Sequence, residues 1–158
     1  MKHTIGVLME NKPGILSRIS TLLARRAFNI DSITAGTTFN PEVTRMTVVV
    51  DGDEYVAGSA AGEMTKLEDV IEIEHMLPED STSREIMLIK IRAGEKEKAE
   101  LLDLAKVLGF AIVGSTETTL ILEHTDTPEQ VDALVSRLSA YEVLDIARTG
   151  AIALKTGE

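Results

Sequence analysis

Cysteine and tryptophan are both absent from the 158 residues of this chain, and aromatic residues make up only 3% of it. The lack of cysteine excludes disulfides, thiolate metal ligands and cysteine nucleophiles. It also favours a reducing compartment, so we expect a cytoplasmic protein. The shortage of aromatic rings removes the stacking platforms that usually hold single-stranded nucleic acid.

Positive charge is also scarce, since 16 Lys and Arg stand against 26 Asp and Glu and the formal net charge is −10 at pH 7. A phosphate-binding surface needs a basic surplus, so we predict no nucleic-acid partner. No apolar run approaches the roughly 20 residues that cross a bilayer, so we predict no membrane partner. The three histidines show no paired spacing, and no metal site is expected.

The first half of the chain reads as a βαββαβ unit. Short runs rich in apolar and β-branched residues predict strands at 4–9, 28–35, 43–50 and 70–76. Apolar residues spaced by three and four predict one amphipathic helix after Gly14 and another after Asp53.

The same order returns in the second half. Strands are predicted at 85–91, 111–114 and 118–122 and from residue 143, with helices at 99–108 and from 128. The polar, proline-containing stretch 78–83 between the halves is predicted to be a linker. We therefore predict two α+β sandwich domains, at 1–77 and 84–158.

No set of residues suited to catalysis stands out. The carboxylates fall mostly on predicted helix faces, termini and the linker, and no serine lies in a G-x-S-x-G turn. The segment 58–62 is not a phosphate loop, because no Lys-Ser/Thr follows its second glycine. We predict no catalytic residue in this chain.

The most distinctive segment is the start of the first helix, from Asn11 to Leu16. Pro13 suits a first helical turn, and Gly14 has no side chain to block an approaching group. The N–H groups of Gly14, Ile15 and Leu16, with the positive end of the helix dipole behind them, would suit a small carboxylate. An ordinary capped helix start is the alternative.

Asn29 lies between Phe28 and Ile30 at the start of a predicted strand, and its amide offers both a donor and an acceptor. If Asn11 and Asn29 converged, they could hold a zwitterion without formal charge, while Ile15, Leu16 and Ile30 accepted an aliphatic side chain. A structural asparagine that supports the turn is the alternative. The pattern favours a site for a free apolar amino acid.

Five ordered segments then resemble one known family. They read NKPGILSR at 11–18, RRAFNIDSI at 25–33, TRMT at 44–47, REIMLIK at 84–90 and IARTG at 146–150. They resemble the small regulatory subunits of acetolactate (acetohydroxyacid) synthase, over essentially the whole chain.

The resemblance implies two ferredoxin-like βαββαβ domains in an α+β fold, the first an ACT domain that forms a homodimer. It implies a non-catalytic subunit that activates a large catalytic subunit and confers feedback control by a branched-chain amino acid, usually valine. Thiamine diphosphate, FAD and Mg²⁺ would belong to that large subunit, with no cofactor in this chain. A free-standing amino-acid sensor for another enzyme or a transporter is the alternative.

Carried over residue by residue, the resemblance places Asn11, Gly14, Ile15 and Leu16 in the effector site from one protomer. Asn29 and Ile30 would come from its neighbour. The chain departs from the family at Ala27, where the family usually has glycine. If Ala27 ends the helix in the left-handed region, alanine costs about 1–2 kcal/mol there.

Overall fold

The computed structural model describes residues 1–157, which form two compact units. The first unit comprises 1–83 and the segment from Ala151 onward, and the second comprises Arg84–Gly150. Both are α+β units built on the predicted βαββαβ order, which confirms the predicted fold class. No helix within the described residues is long and apolar enough to span a bilayer.

The first unit contains a four-stranded antiparallel sheet with two helices on one face. Its elements are β1 (Lys2–Glu10), α1 (Ile15–Arg25), β2 (Asn29–Thr37), β3 (Val43–Asp51), α2 (Glu54–Met64) and β4 (Val70–Met76). The strand order is β2-β3-β1-β4, so β2 and β4 are the edge strands.

Alternation along the strands places the core of this unit beneath the helices. Ile5, Val7 and Met9 of β1 are fully buried, and Ile15, Ile19 and Leu23 of α1 pack against them. The helix α2 buries small residues, which let it lie close to the sheet: Ala57, Ala60 and Ala61.

The boundary between the units differs from the prediction of a linker at 78–83 and a second domain at 84–158. A long strand, β5 (Ser81–Arg92), begins inside the predicted linker, and the unpredicted strand β9 (Ile152–Lys155) belongs to the first unit. β9 pairs with β5 and lies against β1, β3 and β4. The Asp80 carbonyl in the predicted linker accepts from the N–H of Thr156 at 2.8 Å and from its hydroxyl at 3.0 Å, and local pattern does not reveal this distant partner.

The second unit repeats the layout of the first. It contains β5, α3 (Glu95–Leu108), β6 (Ala111–Ser115), β7 (Thr119–Asp126), α4 (Pro128–Leu138) and β8 (Glu142–Arg148). Its strand order is β6-β7-β5-β8, and its helices bury Leu101, Val131, Leu134 and Leu138 against the sheet.

Two of the segments that carry the family resemblance meet in this unit through an ion pair. Arg148 Nε donates to Glu85 Oε1 at 2.6 Å, and its Nη2 donates to Glu85 Oε2 at 2.8 Å. The Glu85 side chain is only 5% exposed, and its hydrogen bonds raise the pKa of Arg148 above the ordinary value. The guanidinium therefore stays charged, and the bidentate geometry offsets the cost of burying the carboxylate.

The chain leaves α1 through a residue in the left-handed region. Ala27 has a φ of 55°. Its N–H donates to the Ala24 carbonyl at 3.0 Å, and the Phe28 N–H donates to the Leu23 carbonyl at 3.3 Å. These two bonds form a Schellman motif, whose left-handed position favours glycine. The condition under which alanine carries a cost at position 27 is therefore met.

We expect Ala27→Gly to raise the melting temperature by about 2–4 °C, because glycine relieves about 1 kcal/mol of left-handed strain net of its own chain entropy. Gly109 ends α3 in the same conformation, with a φ of 72° and no heavy atom within 4 Å of the position that a Cβ would occupy. The matched control, Gly109→Ala, should lower the melting temperature by a similar amount. A lower value for Ala27→Gly, measured by circular dichroism, would contradict this account.

Candidate functional site

The connection from β1 to α1 is a type II β-turn. The Ile15 N–H donates to the Lys12 carbonyl at 3.3 Å, which closes the turn. Pro13 occupies its second position, and Gly14 occupies its third with φ 85° and ψ −5°. That third position requires a positive φ, which glycine adopts without strain. We call residues Lys12 to Ile15 the effector turn.

This geometry corrects two details of the predicted helix start. Pro13 lies in the turn, before the first helical residue, because α1 begins at Ile15. The amide of Ile15 is used inside the turn, and its side chain is only 3% exposed and packs in the core. Neither the amide nor the side chain of Ile15 is therefore presented to a ligand.

The two other predicted amides remain open. Within residues 1–157, no acceptor bonds to the N–H groups of Gly14 and Leu16. No heavy atom lies within 4 Å of the position that a Gly14 Cβ would occupy, and Leu16 is 45% exposed. The start of α1 thus offers two free donors and an apolar side chain, with the helix dipole behind them.

Asn11 connects this turn to the β2–β3 hairpin. Its N–H donates to the Glu42 carbonyl at 2.7 Å, and its side-chain Nδ2 donates to the Pro41 carbonyl at 2.9 Å. A cavity of about 430 Å³ opens beside it, lined by Glu10, Asn11, Lys12, Asn40, Pro41, Glu42, Val43 and Ile71. The amide nitrogen of Asn11 is used structurally, which leaves its oxygen Oδ1 as the group available to a ligand.

Asn29 and Ile30 lie at the other end of the sheet. Asn29 pairs with Asp51 of β3, and Asp51 pairs with Lys2 at the start of β1. Since Asn11 follows Lys2 by nine residues, each spanning about 3.3 Å, the length of β1 separates Asn11 from Asn29 by about 30 Å. Ile30 is half-buried against the core. One chain therefore does not bring the two asparagines together.

Asn29 also has a structural contact in its own chain. The N-terminal ammonium, 3.0 Å from Asp51 Oδ1, lowers the pKa of Asp51 below its ordinary value, and a hydrogen bond from Asn29 contributes to the same shift. A structural role and a binding role for Asn29 are compatible, because an amide has several hydrogen-bonding positions.

Four charged side chains surround the effector turn. Lys12 contacts the carboxylate of Glu10 and lies 3.3 Å from Asp69 Oδ1, while Arg18 pairs with Asp69 Oδ2. The hydrogen bond to Glu10, followed by the one to Asp69, raises the pKa of Lys12 above its ordinary value. Both cations are therefore paired, and the donors open to an anion are main-chain amides.

Asp69 is the residue that sequence reasoning missed. It is one of 26 acidic residues, and nothing in its local pattern distinguishes it. Only the fold shows that it is buried, at 6% exposure, beside Lys12 of the effector turn, which lies 57 positions earlier in the chain.

Comparison with known proteins gives the same family for both units. Residues 5–72 match the family described as the AHAS small subunit-like ACT domain, and residues 84–157 match the small subunit of acetolactate synthase. The two matches together cover nearly the whole chain.

Full-length relatives and a solved structure agree with these matches. A probable acetolactate synthase small subunit from Archaeoglobus fulgidus is 38% identical over 157 residues, covering 99% of this chain and 98% of the relative. The acetolactate synthase small subunit from Mycolicibacterium smegmatis is 35% identical, covering 98% and 91%. The crystal structure of the small subunit from Thermotoga maritima superimposes with a TM-score of 0.90 at 32% identity, covering 100% of this chain and 99% of that one.

Proposed function

The chain belongs to the acetolactate synthase small-subunit family, and from this premise we propose that its ACT domain binds a branched-chain amino acid between two copies of the chain. Valine is the first candidate. The bound amino acid would exert feedback control on a large catalytic subunit that this chain activates. We assign thiamine diphosphate, FAD and Mg²⁺ to that large subunit.

The edge strand β2 supports association of two copies. β2 has nine residues, pairs only with β3 within the described residues, and carries a single charged residue, Asp31. Long edge strands with few charges tend to pair with another strand. Its middle residue, Ile33, is 37% exposed, so a two-fold axis there would add apolar contact.

The register of the strands indicates what such pairing would bring together. Antiparallel pairing of two β2 strands about Ile33 sets Asn29 of the second copy opposite Thr37 of the first. Thr37 pairs with Thr44, and Thr44 pairs with Met9, two residues before Asn11. Asn29 of the second copy would thus reach the end of the sheet that carries the effector turn.

The groups gathered there match a zwitterion with an aliphatic side chain. The carboxylate would accept from the N–H groups of Gly14 and Leu16 at the positive end of α1. The ammonium would donate to the oxygen of Asn29 from the second copy and to Oδ1 of Asn11. The exposed side chain of Leu16 would contact the aliphatic group of the ligand.

One observation carries this proposal: the amides of Gly14 and Leu16 are open, while the asparagine that would complete the site lies about 30 Å away in the same chain. A complete site therefore needs two copies. Feedback further requires that the ligand bind two states of the complex unequally, and typical couplings are about 1–3 kcal/mol.

The direct test is reconstitution with the purified large subunit from the same organism. Activity should rise when this chain is added and should fall when valine, leucine or isoleucine is added at millimolar concentration. The large subunit alone, with each amino acid, is the control. Absence of activation would favour the free-standing sensor, and activation without any amino-acid effect would contradict the effector site.

The variant Gly14→Asp should abolish feedback by valine, because its carboxylate would repel the ligand carboxylate. The variant Gly14→Asn is the matched control, since asparagine has the same shape, carries no charge and tolerates the left-handed region. It should retain most of the feedback in the same reconstituted assay. Equal loss of feedback in both variants would point to strain in the turn instead.

Replacing Asn29 by alanine should weaken amino-acid binding about tenfold or more, because the ligand ammonium loses a partner worth about 1–3 kcal/mol. Calorimetry on the isolated protein measures this change. Asp51→Ala is the control, because it removes the contact of Asn29 within its own chain. If Asp51→Ala weakens binding equally, Asn29 acts only through the strand end.

A further inference from the structure

Asp69 lies in the short connection between α2 and β4 and is one of the few buried charged residues of the described chain. Its backbone carbonyl accepts the Glu10 N–H at 2.8 Å, which ties it to the end of β1. Its side chain, 9% exposed, has one oxygen 3.3 Å from Lys12 Nζ and the other against the Arg18 guanidinium. Because both oxygens face cations, these contacts offset the cost of burying the carboxylate.

The two cations lie at the start of the effector turn and in the helix that follows it. Lys12 is the first residue of the turn, and Arg18 is the fourth residue of α1. The Arg18 N–H donates to the Gly14 carbonyl at 3.0 Å. A single carboxylate therefore holds the first residue of the turn and the helix that follows it. Movement of either would tilt the amides of Gly14 and Leu16 between them.

We propose that Asp69 is a positioning residue for the effector site, holding Lys12 and Arg18 so that the amides of Gly14 and Leu16 point at the ligand carboxylate. This inference rests on the proposed function. It assigns Asp69 no contact with the ligand, because the residue acts through the backbone of the turn.

A purely electrostatic role for Asp69 gives the opposite expectation. Glu10 and Asp69 carry two negative charges and Lys12 and Arg18 two positive ones, so the cluster is neutral. Removing the charge of Asp69 leaves one net positive charge, which would attract the ligand carboxylate. Removing the charge of Arg18 leaves one net negative charge, which would repel the ligand carboxylate. Positioning instead predicts that both removals weaken binding.

The sign of these effects decides between the two roles. In calorimetry with valine, Asp69→Asn and Arg18→Met should each weaken binding about tenfold. The Kd of the double variant should be at most about twofold higher than that of the weaker-binding single variant. Tighter binding by Asp69→Asn, or additive effects in the double variant, would overturn the proposal.

A matched control comes from Glu63 of α2. Its side chain is 14% exposed and also joins two cations, with Arg26 at 3.1 Å and Lys66 at 2.6 Å, at the other end of α1. Glu63→Gln should change the melting temperature about as much as Asp69→Asn but leave the affinity for valine unchanged. An equal loss of affinity would make the effect of Asp69 a general loss of stability and overturn the proposal.

A second measurement separates this inference from the proposed function. Hydrogen exchange of the ligand-free protein reports the effector turn directly through the bonded amides of Ile15 and Arg18. Asp69→Asn should make both amides exchange about tenfold faster, while the amides of α4 do not change. Failure of the native protein to bind any branched-chain amino acid would overturn the proposed function, and unchanged exchange would overturn the positioning role of Asp69.

Discussion

The positive φ of Gly14 is the constraint on which both the fold and the site of the first unit depend. The chain must leave β1 and reverse direction within four residues, so that Ile15, Ile19 and Leu23 lie on the sheet. A type II turn does this at the cost of one left-handed residue. The same reversal leaves the amides of Gly14 and Leu16 at a free helix start, so the turn that places α1 on the core also presents the donors of the proposed site.

Each unit also holds a carboxylate that is nearly buried against an arginine. In the first unit Asp69 faces Arg18, and in the second Glu85 forms a bidentate pair with Arg148. Loss of the arginine would leave a nearly buried carboxylate without its partner, which is costly, so each pair holds together the segments that it joins. In the first unit the joined segments are the effector turn and α1, and in our proposal this contact also positions the effector site.

Much of this structure follows from local patterns. The spacing of apolar residues and the positions of turn residues predict every helix and eight of the nine strands of the described residues. Local patterns do not predict which segments distant in the chain pair with each other. The strand β9, the extension of β5 into 81–83 and the burial of Asp69 all depend on residues distant in the chain. The local pattern also does not fix the position of Pro13, because proline suits both a β-turn and a first helical turn.

Division of the proposed site between the two ends of the sheet would connect ligand binding to association of two copies. A single chain offers amides for a carboxylate, and water competes well for such an incomplete set of donors. If the ligand binds only the paired form, it stabilises that form by about 2.7 kcal/mol when its concentration is 100 times the Kd. A catalytic subunit that contacts the paired form would sense this change without touching the ligand. In the proposed mechanism, the quantity that this chain transmits to the catalytic subunit is the population of one arrangement of its two copies.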